Sequence, residues 1–459
     1  MLARLRRLFG PDAVLTAAED LEFFSQDSLG RRGHVEDAAR ALAVVQPVRA
    51  LDVAHVLALC SEERVPVLPF GAGTGLMGGA RTLTPGIVLD TSRLQQIEVH
   101  AQDRFVWTGA GVVLQDLDAV LARDGLCLGH DPWTFPVATV GGTLSTNGLG
   151  YMGGRYGGMG DQAIALEVAL ADGTLFRSRA VARNSAGPRL DRLFVGAEGV
   201  LGVITAAALR AHPVPEARQL RAYRFDTFEA GFALIDAIAG LGLRPSLLDY
   251  GEEHASPWPD LTEREDELPV LYLGFEGLTE EVDASWRRAT TLAEKHGARR
   301  EPDAQATRFW DDRHVIAERF ARNRRRRGQP NRSPDLMFDY MHVALPASRV
   351  LEFRRLCHEQ TETEGVGLLE CGLWTGPELF SAVLAMPVAL GGREAVPRVI
   401  DGLLRAAQDL GGSMEYVHGA GVRYAHLMQR EQGEGFEVLR RIKAALDPAA
   451  VLNPGKLGL

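Results

Sequence analysis

The sequence predicts two domains that mix helices and strands, on three observations. First, the 459 residues, 46% of them hydrophobic, exceed the roughly 250 to 300 at which a single core stops growing. Second, residues 41 to 215 alternate short β-branched runs with glycine clusters. Third, beyond His212-Pro213-Val214-Pro215 the glycine clusters thin out and longer helical patterns take over, as expected at a domain boundary.

In the first part, Val65 to Leu68, Gly86 to Asp90 and Phe105 to Gly109 have the composition of strands closed by turns. Ala50 to Cys60 and Leu114 to Arg123 place apolar residues three and four apart, the spacing of amphipathic helices. This part is α/β or α+β. In the second part Thr227 to Gly240, Val282 to His296 and Ser348 to Gly365 carry helical spacing, and Val270 to Phe275 and Leu336 to Leu345 are the best strands. A sheet covered by helices follows.

Charge and cysteine content narrow the function. A net charge of −10 argues against a nucleic-acid partner, because such binding is dominated by phosphate neutralisation. Cys60, Cys127, Cys357 and Cys371 lie far apart without a C-x-x-C pair, which suggests neither a disulfide framework nor a zinc motif. A reducing cytoplasm fits. Met1 to Phe9 is apolar and basic but reaches Gly10-Pro11 too early for a signal-peptide core or a span. It is expected to be a docked or frayed first helix, the alternative being peripheral contact with a membrane surface. Arg322 to Arg327 is a charge block expected to be a solvated loop, with docking of an acidic electron-transfer partner or an anionic substrate as the functional alternative.

The chemistry starts at Val67 to Ala80, V-L-P-F-G-A-G-T-G-L-M-G-G-A. Glycines there allow close approach of the main chain, so successive N–H dipoles can converge on a pyrophosphate; the alternative is an ordinary surface loop, since the spacing is not the G-x-G-x-x-G that opens a dinucleotide-binding helix. Pro136 to Gly148 (P-V-A-T-V-G-G-T-L-S-T-N-G) and Leu193 to Thr205 (L-F-V-G-A-E-G-V-L-G-V-I-T) also combine glycines with small hydroxyl residues. With the terminal Leu446 to Gly458, L-D-P-A-A-V-L-N-P-G-K-L-G, these motifs in this order make the chain resemble the FAD-linked oxidoreductases of the vanillyl-alcohol oxidase and p-cresol methylhydroxylase fold family, over nearly its whole length.

That resemblance implies an α+β fold: a two-subdomain FAD-binding domain of the p-cresol methylhydroxylase type over residues 39–214, and an α+β substrate-binding cap with an antiparallel sheet over 215–428. Residues 429–459 would return to the flavin site. It implies that Gly71, Ala72, Gly73, Thr74, Gly75 and Leu76 hold the pyrophosphate. Pro136, Thr139, Gly141, Gly142, Ser145, Asn147 and Gly148 would line the ribityl and isoalloxazine region. Glu198, Gly199, Gly202, Val203 and Ile204 belong to the third motif, with Val203 and Ile204 on the adenine side. Asn453 and Lys456 would lie near the flavin ring. Some members attach FAD through a histidine in the first loop; Gly73-Thr74-Gly75 has none, which implies noncovalent FAD.

Enzymes for D-lactate, glycolate and D-2-hydroxyglutarate are the nearest look-alikes in the FAD half. Many of them hold a divalent metal with an H-x-G-D-G-N-x-H segment and a Glu-His-Gly segment. This chain has Cys371-Gly-Leu-Trp-Thr-Gly-Pro377 at the first, and Val417 in place of the glutamate before His418-Gly419 at the second. No metal ligand set is expected. His418 remains as the general base, since imidazole takes a hydroxyl proton at neutral pH; its alternative is a structural turn histidine. Gly421-Val422-Arg423-Tyr424-Ala425-His426-Leu427 resembles the Y-R-T-H-L segment of phenol-oxidising members, which would give Arg423 a charge-stabilising role, with an ordinary ion pair as its alternative. Val422 stands where those enzymes have tyrosine. Tyr340, His342 and Trp374 are further substrate-pocket candidates, because Asp339 to Leu345 alternates like a strand crossing the second domain, with ordinary core placement as the alternative.

The resulting expectation is an FAD-dependent oxidoreductase acting on CH–OH groups. The substrate is a small molecule, a 2-hydroxy acid first and a phenolic or benzylic alcohol second. A transferase similar to the flavin-dependent ether-lipid synthases comes third, and a non-catalytic flavin binder is the non-enzyme alternative. The sequence leaves open whether oxygen, a quinone or a cytochrome takes the electrons, and the oligomeric state, a homodimer included.

Overall fold

A computed structural model describes residues 1–29, 38–258, 260, 267–325 and 335–459. The fold is α+β and, among the described residues, contains three sheets. A four-stranded sheet runs Val14–Leu15, Ala43–Val45, Ile87–Asp90, Val67–Phe70. Ile87–Asp90 pairs in parallel with both Ala43–Val45 and Val67–Phe70, and the strands Ala43–Val45 and Ile87–Asp90 are buried throughout, as parallel strands covered on both faces must be. The helix Ala50–Glu63 covers it, with Val53, Val56 and Leu57 at zero exposure.

The second sheet is antiparallel and centres on the long strand Val203–Pro213, flanked by Phe105–Gly109 and Ala163–Ala169. The third is a seven-stranded antiparallel sheet in the order Arg299–Arg300, Ala217–Arg224, Glu267–Gly277, Leu247–Glu253, Gly367–Trp374, Leu379–Pro387, Leu336–Ala344. The helices Phe228–Gly240, Thr279–Lys295, Val350–Glu364 and Gly392–Asp409 accompany it, each burying an apolar stripe. The chain then returns: Val67 bridges Leu452 in parallel, and Asn453 N donates to Val67 O at 2.8 Å.

Leu2–Phe9 forms a docked helix, with Leu5 fully buried and Arg4 paired to Glu62 and Glu63. The basic run departs from its expected loop: Arg322 to Arg325 close the helix Val315–Arg325, because that helix propagates from an N-terminal turn where Ala317 is fully buried. Arg326 and Arg327 lie outside the described residues. Among the described residues, no helix is long and apolar enough to cross a membrane.

Asp131 ties the first half to the second. Its Oδ2 accepts from Arg313 Nε at 2.8 Å, and its Oδ1 lies 2.7 Å from His314 Nε2. Between the two halves lies a cavity of about 1960 Å³, well above the roughly 300 to 1,000 Å³ of a site for one drug-sized ligand. A dinucleotide and a small substrate fit together in such a volume.

Candidate active site

Three glycine-bearing segments form one side of the cavity. The loop Gly71 to Leu76 leaves the strand Val67–Phe70 directly onto its wall. Among the described residues, no acceptor takes the backbone N–H groups of Gly73, Thr74, Gly75 and Leu76. Gly73 has φ +61°, the left-handed turn that glycine adopts without strain. Four successive free donors at a cavity wall suit a pyrophosphate.

The second segment packs against the first. A Cβ on Gly71 would come within 2.6 Å of Thr139 Oγ1, so a side chain there would drive the two segments apart. Thr139 caps the helix Val140–Thr146, its hydroxyl accepting from Gly142 N at 3.4 Å. Thr139, Gly141, Gly142, Ser145 and Gly148 line the wall, as do Glu198, Gly199, Gly202, Val203 and Ile204 of the third segment.

Four of the expected cofactor residues are not on that wall: Pro136, Asn147, Asn453 and Lys456. Asn147 Oδ1 accepts from Gly160 N at 3.0 Å, which fixes the turn that ends its helix. Asn453 Nδ2 donates to Gly79 O at 3.0 Å and Glu198 O at 2.7 Å. It therefore stitches the glycine loop to the third segment. Lys456 is 1% exposed; burial lowers it to about 8, against the raising influence of Asp27 and Glu198.

The cap supplies the opposite wall. Along the strand Leu336–Ala344 burial alternates, which puts Tyr340 and His342 on the cavity side and Asp339 and Met341 on the other. Trp374, Tyr416, Val417 and His418 join Tyr340 and His342 at the cavity. The His342 and His418 rings are 4.7 Å apart between centroids, and Tyr340 lies 5.8 Å from His418. Burial and the neighbouring His418 push His342 down to about 3, so it is a neutral imidazole at neutral pH.

Glu415 is the residue that the motif comparison passed over. Its Oε1 accepts from Val417 N at 2.7 Å and His418 N at 3.0 Å, and lies 3.5 Å from His418 Nδ1. Burial works against its charge, but His418, its backbone N–H and His342 together hold the carboxyl below the usual range. The carboxylate missing at Val417 is thus supplied two residues earlier by the turn. Sequence reasoning expected no metal ligands, whereas the donor atoms of His342, Glu415 and His418 lie within 4.8 Å of one another, a grouping able to hold a cation.

Arg423 departs from its expected place. It is absent from the cavity lining, and its guanidinium is 2.6 Å from Asp339 Oδ2 with both side chains at most 2% exposed. The reason is the strand's period: the face that carries Asp339 is the one turned from the cavity, and a buried guanidinium needs that carboxylate.

Three further wall residues were not anticipated. Burial, with Glu370 alongside, pushes Asp249 up to about 7. Tyr416 is raised by burial and by Glu415, and its hydroxyl has no partner among the described residues. His130 is 1% exposed with neither ring nitrogen partnered, and burial lowers it to about 4. Asp249 and His130 come from segments without a motif, so only the folded sheet brings them to the cavity, whereas Tyr416 sits inside the His418 segment with no motif position of its own.

Comparison with known proteins agrees with this architecture. Residues 41–179 match the FAD binding domain, and residues 214–457 match the C-terminal domain of FAD linked oxidases. The D-lactate dehydrogenase of Archaeoglobus fulgidus is 30% identical over 427 residues, 92% of this chain and 92% of that protein. The glycolate oxidase subunit GlcD of Bacillus subtilis is 26% identical over 453 residues, 95% of this chain and 94% of the other. Among solved structures, p-cresol methylhydroxylase with substrate bound superposes with a TM-score of 0.79 at 18% identity, covering 100% of this chain and 96% of that one. An alkyldihydroxyacetonephosphate synthase reaches 0.75 at 18% identity, covering 98% and 84%. At that identity the two structures attest the fold.

Proposed function

Because the chain belongs to the family of FAD-linked oxidases, we propose that it oxidises a small 2-hydroxy acid of the lactate or glycolate kind with noncovalently held FAD. The observation that carries this reading is the placement of His418, on the cavity wall with Glu415 at its Nδ1 side, together with the two hydroxy-acid enzymes that the chain resembles over more than nine-tenths of its length.

FAD supplies a hydride acceptor at flavin N5. The remaining work falls to the chain. The Gly71 to Leu76 loop and the segments at Thr139 to Gly148 and Glu198 to Ile204 hold the cofactor; Asn147, Asn453 and Lys456 brace those segments. His418 takes the substrate hydroxyl proton through Nε2 while Glu415 orients the ring and stabilises its protonated form. Tyr340, His342, Trp374 and Tyr416 surround the substrate and exclude water. Residues 39–214 act as the FAD domain, 215–428 as the cap and 429–459 as the returning segment. The electrons leave to oxygen, a quinone or a cytochrome; relatives named D-lactate dehydrogenase [cytochrome] favour the last.

A phenolic or benzylic alcohol is the second reading, favoured by the aromatic wall of Phe338, Tyr340, Trp374 and Tyr416. The arginine that would have supported it, Arg423, is occupied by Asp339. Anaerobic mixing with D-lactate, glycolate, D-2-hydroxyglutarate, mandelate and 4-hydroxybenzyl alcohol separates the two. Bleaching of the flavin by an aliphatic hydroxy acid is the expected outcome; bleaching by the benzylic alcohol alone would replace the first reading with the second.

A further inference from the structure

A second group of ligating side chains lies in the cap, away from the flavin cavity. Glu252 and Cys371 are direct partners across the antiparallel strands Leu247–Glu253 and Gly367–Trp374, so their side chains share a face. His254 follows Glu252 by two residues, and its N–H donates to Leu369 O at 3.0 Å. That bond keeps it on the same face. His358 descends from the helix Val350–Glu364, whose neighbouring Cys357 is fully buried.

The donor atoms of Glu252, His254, His358 and Cys371 all lie within 4.8 Å of one another. His254 Nε2 is 3.6 Å from Glu252 Oε1, and the two imidazole rings are 5.2 Å apart at 80°. Bonds of about 2.0 to 2.3 Å to a tetrahedral ion hold their donors about 3.3 to 3.8 Å apart. Small side-chain adjustments therefore close the site.

Two features point to an occupant. His358 Nε2 is buried with no hydrogen-bond partner, and buried His254 Nε2 has nothing nearer than the long 3.6 Å approach to Glu252 Oε1, a state that costs free energy unless a ligand or a water relieves it. Charge also balances with a cation. Arg354 binds Glu252 Oε1 through Nε at 2.7 Å and reaches Glu229 at 3.2 Å, so the two carboxylates outnumber the guanidinium by one. A divalent ion with a Cys371 thiolate brings the group to neutrality.

We propose that Glu252, His254, His358 and Cys371 form a structural site for a divalent ion of the zinc class, pinning the helix Val350–Glu364 to the cap sheet. A carboxylate, two imidazoles and a thiolate form the mixed N, O and S donor set that such ions accept in preference to magnesium or calcium. None of the four residues lines the flavin cavity.

The test uses the full-length flavin-loaded protein. Metal content after purification, and uptake of Co²⁺ after chelation, are measured together; Co²⁺ on a thiolate gives intense d–d bands to the red of flavin absorption. About one ion per chain is expected, with a higher melting temperature in the loaded form. Cys371→Ser should abolish the thiolate spectrum and His254→Ala should weaken uptake, whereas His418→Ala should change neither. If Cys371→Ser does not fold, as judged by flavin content, His254→Ala at the half-exposed strand end carries the test. Absence of Zn²⁺ and Co²⁺ binding overturns the proposal and leaves water as the occupant. Binding that survives both cap variants and is lost in His418→Ala overturns it too, and moves the ion to His342, Glu415 and His418.

Discussion

Glu198 Oε1 accepts the backbone N–H of Gly421 at 2.9 Å and that of Ala420 at 2.8 Å. A carboxylate of the FAD-binding half thereby fixes the loop that carries His418. A Cβ on Gly419 would lie 2.5 Å from the same Oε1, so glycine is needed there for the loop to close on the carboxylate. Glu198→Ala should leave two buried N–H groups unpaired at about 1 to 3 kcal/mol each. Denaturant titration should record the loss, with weaker retention of flavin.

The same residue gives a pH signature. Burial raises Glu198 from 4.5 to about 7, so between those values the folded protein binds a proton that the unfolded chain has released. Its contribution to stability is thus complete below about 4.5 and falls as pH rises through about 7. Unfolding free energy of the apoprotein should show that decline, and Glu198→Gln should flatten it. An equal slope in the variant would assign it to other groups.

His418→Ala should slow flavin reduction about 10²- to 10⁴-fold, the usual contribution of a general base, while FAD content is unchanged. Glu415→Gln should slow it less, because the amide still accepts from Val417 and His418 N–H but no longer stabilises the protonated ring. Rapid-mixing absorbance measures both. Equal effects would mean that the two act as one unit.

His418 is expected to work as a base and not as a metal ligand. Exhaustive chelation, performed below the melting temperature of the stripped protein, should leave the rate of flavin reduction unchanged. A rate that collapses and returns with Zn²⁺, in the protein and in His254→Ala alike, would make the trio of His342, Glu415 and His418 a metal site.

Arg423→Met should destabilise the protein by about 3 to 5 kcal/mol, because it strands the buried Asp339 charge. Substrate preference should not change, since neither residue touches the cavity. A shifted KM at unchanged stability would restore Arg423 to the site.

The glycine loop was legible in the sequence because glycines recur where the chain turns left-handed, as at Gly73, or packs closely, as at Gly71 against the Thr139 hydroxyl. Tyr340 and His342 were legible because a strand's period of two separates cavity side from core side. The same period hid Arg423's role, since the partner Asp339 belongs to the opposite face of that strand. Glu415 was missed because a motif compares positions along the chain, whereas the turn from Glu415 to His418 lets a carboxylate three residues back reach the ring. The strands Leu247–Glu253 and Leu379–Pro387, and with them Asp249 on the cavity wall, depend on cross-strand register that no local pattern records.

Single-turnover reduction of the bound flavin by D-lactate or glycolate, recorded without oxygen for the protein and for His418→Ala side by side, is the most direct test. Rapid bleaching in the first and a reduction slowed by orders of magnitude in the second is the predicted result. A flavin that no hydroxy acid bleaches, or one that His418→Ala bleaches equally fast, would contradict it.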